Sequence, residues 1–143
     1  MAGSAKDALA EVRQLVAADD RRDFEFAERG FIATRKDPKI MRDDGRLAFD
    51  LSSYGFVQGE APTTANPSLW RHAKILTRNG LFKVADRIFQ VRGFDVSTVT
   101  FIDAGAGWIV VDPLTTVDGA RAALELVTEH VATKPVLAVI YSH

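Results

Sequence analysis

The sequence predicts a layered α/β fold in which one central strand is buried on both faces. Val136–Ile140 is a run of apolar residues without polar alternation, and it follows a proline, which is typical of such a strand. Residues 115–131 before it predict a long amphipathic helix, and several short strands are predicted before that helix. In such sheets the chemistry collects at the carboxyl ends of the strands, and the polar pair Ser142-His143 occupies that position here.

The first predicted element is an amphipathic helix over residues 5–18. Ser4 and Asp7 have the spacing of a capping box, and apolar side chains recur at helical spacing after them. The charged run that follows, residues 19–23, is typical of a solvated helix end. We therefore expect this run to form a turn and not a binding patch.

Residues 24–65 predict an irregular arm. Turn-forming residues interrupt it repeatedly, and only residues 47–51 alternate in the manner of a short strand. An irregular segment of this length is uncommon within a compact domain. We expect it to wrap over another part of the fold or over a neighbouring subunit, anchored by aromatic side chains: Phe24, Phe26, Phe31, Phe49, Tyr54 and Phe56.

A second helix is predicted to begin at Asn66-Pro67, because Asn is a favoured N-cap and Pro a favoured first residue. We expect Asn79-Gly80 to end it. Trp70-Arg71 could flank an anionic ligand, although an aromatic residue at helical spacing more often belongs to a core. His72 is expected to be structural or solvated. The expected buried stripe consists of Leu69, Trp70, Ala73 and Leu76.

Four strands are predicted next, over residues 81–85, 88–92, 96–102 and 108–111. The glycine-rich segment between the last two predicts a hairpin loop. It is not a phosphate cradle, because it lacks the lysine and hydroxyl residues of a P-loop and because a strand follows it. The fourth strand ends in Asp112-Pro113, where the carboxylate could simply bond backbone amides of its own turn.

The clearest helix covers residues 115–131. Thr115 and Asp118 have capping-box spacing. His130 falls in the last turn, where the helix dipole favours a cation, so we expect it to have a structural role. The expected buried stripe consists of Val117, Ala120, Leu124, Val127 and Val131.

Composition argues against several classes of function. The chain has 143 residues and a formal net charge of −1, which favours neither nucleic acid nor an anionic membrane as a partner. It has no cysteine, so any metal site must use His, Asp or Glu. No apolar run approaches the ~20 residues that span a membrane. No signal peptide is visible, and the compartment stays open: periplasmic or secreted if a leader was trimmed, cytoplasmic otherwise.

The last six residues, Ala138-Val-Ile-Tyr-Ser-His143, resemble the lead-in to the metallo-β-lactamase-fold motif His-x-His-x-Asp-His. His143 matches the first His of that motif, and the remaining ligands are expected after residue 143. Within that fold the chain resembles the alkyl sulfatases. The blocks Asn-Pro-Ser-Leu-Trp-Arg and Gln-Val-Arg-Gly-Phe-Asp are more specific than a strand that ends in His. The matching segments are residues 23–33, 66–71, 80–84, 88–95 and 107–114.

This resemblance implies the first half of a four-layer αββα sandwich. Residues 1–79 would form an amino-terminal arm with helices, and residues 80–143 would form the start of a catalytic domain, cut at its first metal-ligand motif. The resemblance implies that His143, as a neutral imidazole, binds one of two zinc ions. It implies that Asp112 supports the metal loop without binding the metal. No catalytic residue is expected within the chain itself.

For the intact protein the resemblance implies zinc-dependent hydrolysis of alkyl sulfate esters, such as dodecyl sulfate, by a homodimer. Primary versus secondary esters, and cleavage at sulfur versus carbon, stay open. Another hydrolase of the same fold, acting on thioesters, lactams or phosphoesters, is an alternative. Residues 66–71 argue against it, because generic members of the fold lack so long an arm. A catalytically incomplete chain that serves as a structural or interaction piece is a further alternative.

Overall fold

The computed structural model describes residues 4–15 and 21–143, and the chain divides into two compact units. The first combines the chain up to Ala27 with Tyr54–Arg78, and the second combines Glu28–Ser53 with Asn79–His143. Residues 28–53, which the sequence places in the arm, group with the sheet of the second unit. None of the helices in the described part of the chain has the length and apolar character that crossing a bilayer requires.

Helices α1 (Ala5–Leu15), α2 (Arg22–Glu28) and α3 (Pro67–Leu76) form most of the first unit. The capping box of α1 is confirmed, because the Ser4 hydroxyl donates to the Asp7 carboxylate over 2.8 Å and accepts from the Asp7 N–H over 3.3 Å. Residues 16–20, which include the end of the predicted helix and the start of the charged run, lie outside the described residues. The end of that run opens α2, where acidic residues in the first turn suit the helix dipole; the sequence did not predict this helix.

The predicted start of α3 is confirmed, but its predicted end and buried stripe are wrong. The Asn66 side-chain oxygen accepts from the N–H groups of Ser68 and Leu69 over 2.9 and 3.3 Å. The C-cap is Thr77, whose N–H already bonds the Ala73 carbonyl, so Asn79-Gly80 is not needed to end the helix. α3 has no buried residue; Leu69 is 69% exposed and Leu76 is 64% exposed.

The second unit contains eight strands and one helix. The predicted order after residue 80, four strands, a helix and a strand, is confirmed, and so is the short strand within residues 47–51. The elements are β1 (Phe31–Ala33), β2 (Lys39–Met41), β3 (Leu47–Asp50), β4 (Gly80–Ala85), β5 (Ile88–Arg92), β6 (Val99–Asp103), β7 (Trp108–Val111), α4 (Val117–His130) and β8 (Val136–Ile140).

Six of these strands form a mixed sheet in the order β1-β4-β5-β6-β7-β8, and β2 and β3 form a separate hairpin. Neighbours are antiparallel except β7 and β8, which are parallel and joined through α4. Trp108 is fully buried at the centre of the core, where its ring packs edge-on against Phe89 and Phe101. Buried residues of α4 belong to the same core cluster, so this helix covers the sheet.

The helix α4 starts later than predicted and turns a different face to the core. Its N-cap is Thr116, whose hydroxyl accepts from the Gly119 N–H over 3.1 Å, and not Thr115. Within the predicted stripe only Val127 is buried, and Val117 is 74% exposed. Small side chains on one face let the helix pack closely against the sheet. That face is therefore buried, although it is not the face that the larger apolar residues indicate. Its buried residues are Gly119, Ala122, Ala123, Leu126 and Val127.

The prediction that β8 is a central strand buried on both faces is wrong for the residues described. In the described part of the chain β8 is last in the strand order and pairs with β7 alone, and its four large side chains are 42–54% exposed. An apolar run indicates that both faces of a strand can be buried. Whether they are buried depends on which other elements pack against those faces. Gly107 allows β8 to start close to β7, because a Cβ there would collide with the Pro135 carbonyl.

Candidate functional site

The carboxyl ends of β7 and β8 lie side by side because these two strands are parallel. Asp112 follows β7, and Ser142-His143 follows β8, so the two predicted site residues come together. The Asp112 N–H donates to the Ile140 carbonyl over 2.9 Å, which ties the two strand ends to each other. The result is a polar cluster of one carboxylate, one hydroxyl and one imidazole at the edge of the sheet.

The Asp112 carboxylate holds Ser142 through two hydrogen bonds. Its Oδ1 accepts from the Ser142 N–H over 2.7 Å, and its Oδ2 accepts from the Ser142 hydroxyl over 2.6 Å. These hydrogen bonds lower the pKa of Asp112, and the charge of a protonated His143 lowers it further. Asp112 therefore binds the residue that follows the neighbouring strand. The alternative expectation was that Asp112 would accept hydrogen bonds from amides of its own turn.

His143 lies at the outer end of this cluster. Its Nδ1 is 2.9 Å from the Ser142 Oγ and 3.9 Å from the Asp112 Oδ1, and its side chain is 75% exposed. The described residues contain no group of three or more His, Asp or Glu side chains placed to hold a metal ion. His72 is an exposed residue of α3, and His130 stands in the last turn of α4 beside Glu129, as expected from the sequence.

The backbone after Asp112 is strained. Asp112 and Leu114 have φ angles of 52° and 67°, in the left-handed region, on either side of Pro113. Asp tolerates this region better than most residues, whereas Leu rarely adopts it, and each such residue costs roughly 1–3 kcal/mol. Strain of this kind clusters at functional sites, which favours a functional role for this loop.

Asp95 anchors the far end of the same loop, and the sequence did not single it out. Its Oδ2 accepts from the Thr115 N–H over 2.7 Å and from the Thr115 hydroxyl, and its Oδ1 accepts from the Ser97 N–H over 2.8 Å. Burial alone would raise the pKa of Asp95, but these hydrogen bonds outweigh burial and lower the pKa. The Asp-x-Ser spacing was a usable turn signal, but only the fold brings Thr115 to it.

Trp70-Arg71 in the first unit does not present a free cation. The Arg71 guanidinium donates to Asp23 over 2.7 Å and lies 5.1 Å from the centre of the Phe24 ring. The Trp70 ring packs against Phe56, with ring centres 6.2 Å apart. A carboxylate therefore already occupies the position that an anionic ligand would take beside Arg71, which favours the structural interpretation of this pair.

Comparison with known proteins identifies similar sequences. A family model described as the metallo-beta-lactamase superfamily matches residues 92–143. An alkyl/aryl-sulfatase of Saccharomyces cerevisiae is 42% identical over 134 residues, which are 93% of this chain and 21% of that protein. A linear primary-alkylsulfatase of Pseudomonas sp. is 44% identical over 127 residues, covering 87% of this chain and 19% of that protein. An (R)-specific secondary-alkylsulfatase of Pseudomonas sp. is 41% identical over 135 residues, covering 94% and 20%.

A solved structure shows the same fold. The stereoselective inverting sec-alkylsulfatase Pisa1 from Pseudomonas sp. matches with a TM-score of 0.89 and 40% sequence identity, over 100% of this chain and 23% of that protein. The observed mixed α/β fold therefore matches part of a sulfatase structure, as the sequence predicted. The chain spans about a fifth of the length of the curated relatives it matches.

Proposed function

Because this chain is an alkylsulfatase homologue of the metallo-beta-lactamase superfamily, we propose that the complete protein hydrolyses alkyl sulfate esters, such as dodecyl sulfate, to an alcohol and sulfate. The observation that carries this proposal is the 41–44% identity over most of the chain to relatives that are named as sulfatases. Lactams, thioesters and phosphoesters are not favoured, since none of these relatives is named for them. The relatives are named for primary and for secondary esters, so the proposal extends to both.

Membership of the superfamily suggests a metal, and we propose zinc, with two ions in the active site of the complete protein. His143 would hold one of them, because an exposed imidazole at a strand end, with a carboxylate nearby, is the donor type that zinc accepts. The residues described supply one such donor at this edge, so the other ligands are proposed to come from elsewhere in the complete protein. When bound, zinc lowers the pKa of its water to roughly 7, which makes hydroxide available at neutral pH.

The other residues of the cluster would position His143. Asp112 fixes the end of β8 through the Ser142 N–H and hydroxyl, and Asp95 fixes the loop between Asp112 and α4. We propose that neither carboxylate binds the metal, since each is already engaged by hydrogen bonds. Residues 80–143 would begin the catalytic domain after the arm of residues 1–79, and the complete protein would be a homodimer; both remain predictions from the resemblance.

The test of this function is sulfate release by the complete protein. With zinc present we expect release from dodecyl sulfate and from a secondary octyl sulfate, and no phosphate release from dodecyl phosphate under the same conditions. Dialysis against a chelator should remove most of the activity, and added zinc should restore it. Absence of sulfate release from either ester in the zinc-loaded protein would contradict the proposal, and activity that survives complete metal removal would contradict the zinc mechanism.

A further inference from the structure

The hydrogen bonds at the end of β8 have a fixed direction. A carboxyl group has an ordinary pKa of ~3.9, so Asp112 is an ionised carboxylate near neutral pH and can only accept hydrogen bonds. The Ser142 Oγ lies 2.6 Å from the Asp112 Oδ2, which requires a proton between the two oxygens. That proton must belong to Ser142, because Asp112 has none to donate.

The same hydroxyl then determines the proton position on His143. A serine hydroxyl has one hydrogen, and Ser142 uses it for Asp112, so its Oγ can only accept from the His143 ring nitrogen 2.9 Å away. That nitrogen is Nδ1, which must therefore carry the proton. The negatively charged Asp112 Oδ1 lies 3.9 Å from Nδ1 and also attracts a proton on that nitrogen, which favours the same tautomer. A neutral imidazole protonated on Nδ1 has its lone pair on Nε2.

We propose that Ser142 is a positioning residue: oriented by Asp112, it holds neutral His143 in the tautomer protonated on Nδ1 and leaves Nε2 as the nitrogen that binds a cation. The tautomer rests on hydrogen bonds within this chain alone, whereas its use for zinc rests on the proposed function. A solvated imidazole prefers the opposite tautomer, protonated on Nε2. Since the His143 side chain is 75% exposed, the preference here depends on Ser142 and not on burial.

Two features of the backbone hold Asp112 in place. Asp112 is held by its own N–H bond to the Ile140 carbonyl and by its left-handed backbone next to Pro113. Asn also tolerates the left-handed region, so Asp112→Asn is a mild change for the backbone. An Asn side chain can donate through its amide nitrogen, which lets the Ser142 hydroxyl turn and donate to His143 Nδ1 instead. Both hydrogen bonds, between residue 112 and Ser142 and between Ser142 and His143, would then have the opposite donor and acceptor.

The tautomer is measured by long-range ¹H–¹⁵N correlation NMR of histidine-labelled, metal-free chain, at a pH well above the ordinary histidine pKa of ~6.5. His72→Gln and His130→Gln assign the signals. We expect the wild type and Ser142→Thr, which keeps a hydroxyl, to show the pyridine-type ¹⁵N shift on Nε2. Ser142→Ala and Asp112→Asn should move that shift towards Nδ1. His143 protonated on Nε2 in the wild type, or an unchanged signal in Ser142→Ala, would overturn the proposal.

A second measurement separates the proposed role of Ser142 from the proposed function. In the complete protein Ser142→Ala should weaken zinc binding ~10–100-fold, the usual effect of removing a partner that orients a ligand. Ser142→Thr, which keeps the hydroxyl, should keep the zinc affinity of the wild type. Equal zinc affinity of wild type and Ser142→Ala would overturn the role towards the metal. If the complete protein releases no sulfate while the wild-type tautomer is as proposed, the proposed function is wrong and the role of Ser142 in fixing the tautomer is upheld.

Discussion

Replacing His143 with alanine should remove most of the sulfatase activity that we propose for the complete protein, and should lower the zinc content that we propose for it. The imidazole of His143 is the metal-ligating group that we propose at the end of β8, and alanine has no side-chain atom that could bind zinc. Loss of a partner that merely orients a ligand typically costs ~10–100-fold, so we expect loss of the ligand itself to cost at least as much. The measurement is zinc content after dialysis, with sulfate release assayed on the same samples.

The chain provides matched controls for this variant in its two other histidines. His72 is an exposed residue of α3, and His130 is an exposed residue at the end of α4 beside Glu129. His72→Ala and His130→Ala should leave zinc content and activity close to wild type. If His143→Ala behaves like these two controls, the assignment of His143 as a ligand is wrong.

Replacing Trp108 with alanine should cost about 3–5 kcal/mol of unfolding free energy, the usual range for a large aromatic residue removed from a core. Trp108 is completely buried, and its ring contacts Phe89 and Phe101 edge-on with ring centres 6.0 and 6.1 Å away. The Lys134 ammonium also lies 5.5 Å from the ring centre. Because domains are stable by only about 5–15 kcal/mol, urea denaturation should show a large loss of stability or an unfolded chain.

Two further variants distinguish packing from general sensitivity. Trp108→Phe keeps an aromatic ring and removes an indole N–H for which the described residues provide no acceptor, so it should lose clearly less stability than Trp108→Ala. Phe56→Ala removes an aromatic side chain that is 69% exposed and should change the unfolding free energy little. A Trp108→Ala chain as stable as Phe56→Ala would contradict the placement of Trp108 at the centre of the core.

The strands at residues 81–85 and 88–92 and the start of α3 could be predicted because their signals are local. Two short, mainly apolar runs on either side of Asp86-Arg87 indicate the strands, and the Asn66 side chain caps the first N–H groups of α3 from within its own turn. The cap and buried face of α4 were missed because they depend on the sheet below: small residues allow close approach, and Asp95 engages Thr115. The exposure of β8 was not predicted, because the burial of a strand depends on neighbouring elements that its own residues do not specify.

The candidate site divides in the same way. Asp112 and His143 each follow an apolar strand, and it was the resemblance to a known family that led us to expect Asp112 to support the loop that His143 begins. The role of Ser142 could not be predicted, because it depends on the parallel pairing of β7 and β8 that brings its hydroxyl to Asp112. The left-handed backbone of Asp112 and Leu114 carries no residue signal either, since neither position is a glycine.

The most direct test of the proposed metal centre is an anomalous difference map, measured at the zinc absorption edge on crystals of the zinc-loaded complete protein. We predict a peak at about 2.0–2.1 Å from His143 Nε2, with Ser142 Oγ bonded to Nδ1 and with Asp112 outside the coordination sphere. A zinc peak with His143 unliganded, or bound through Nδ1, would contradict the account.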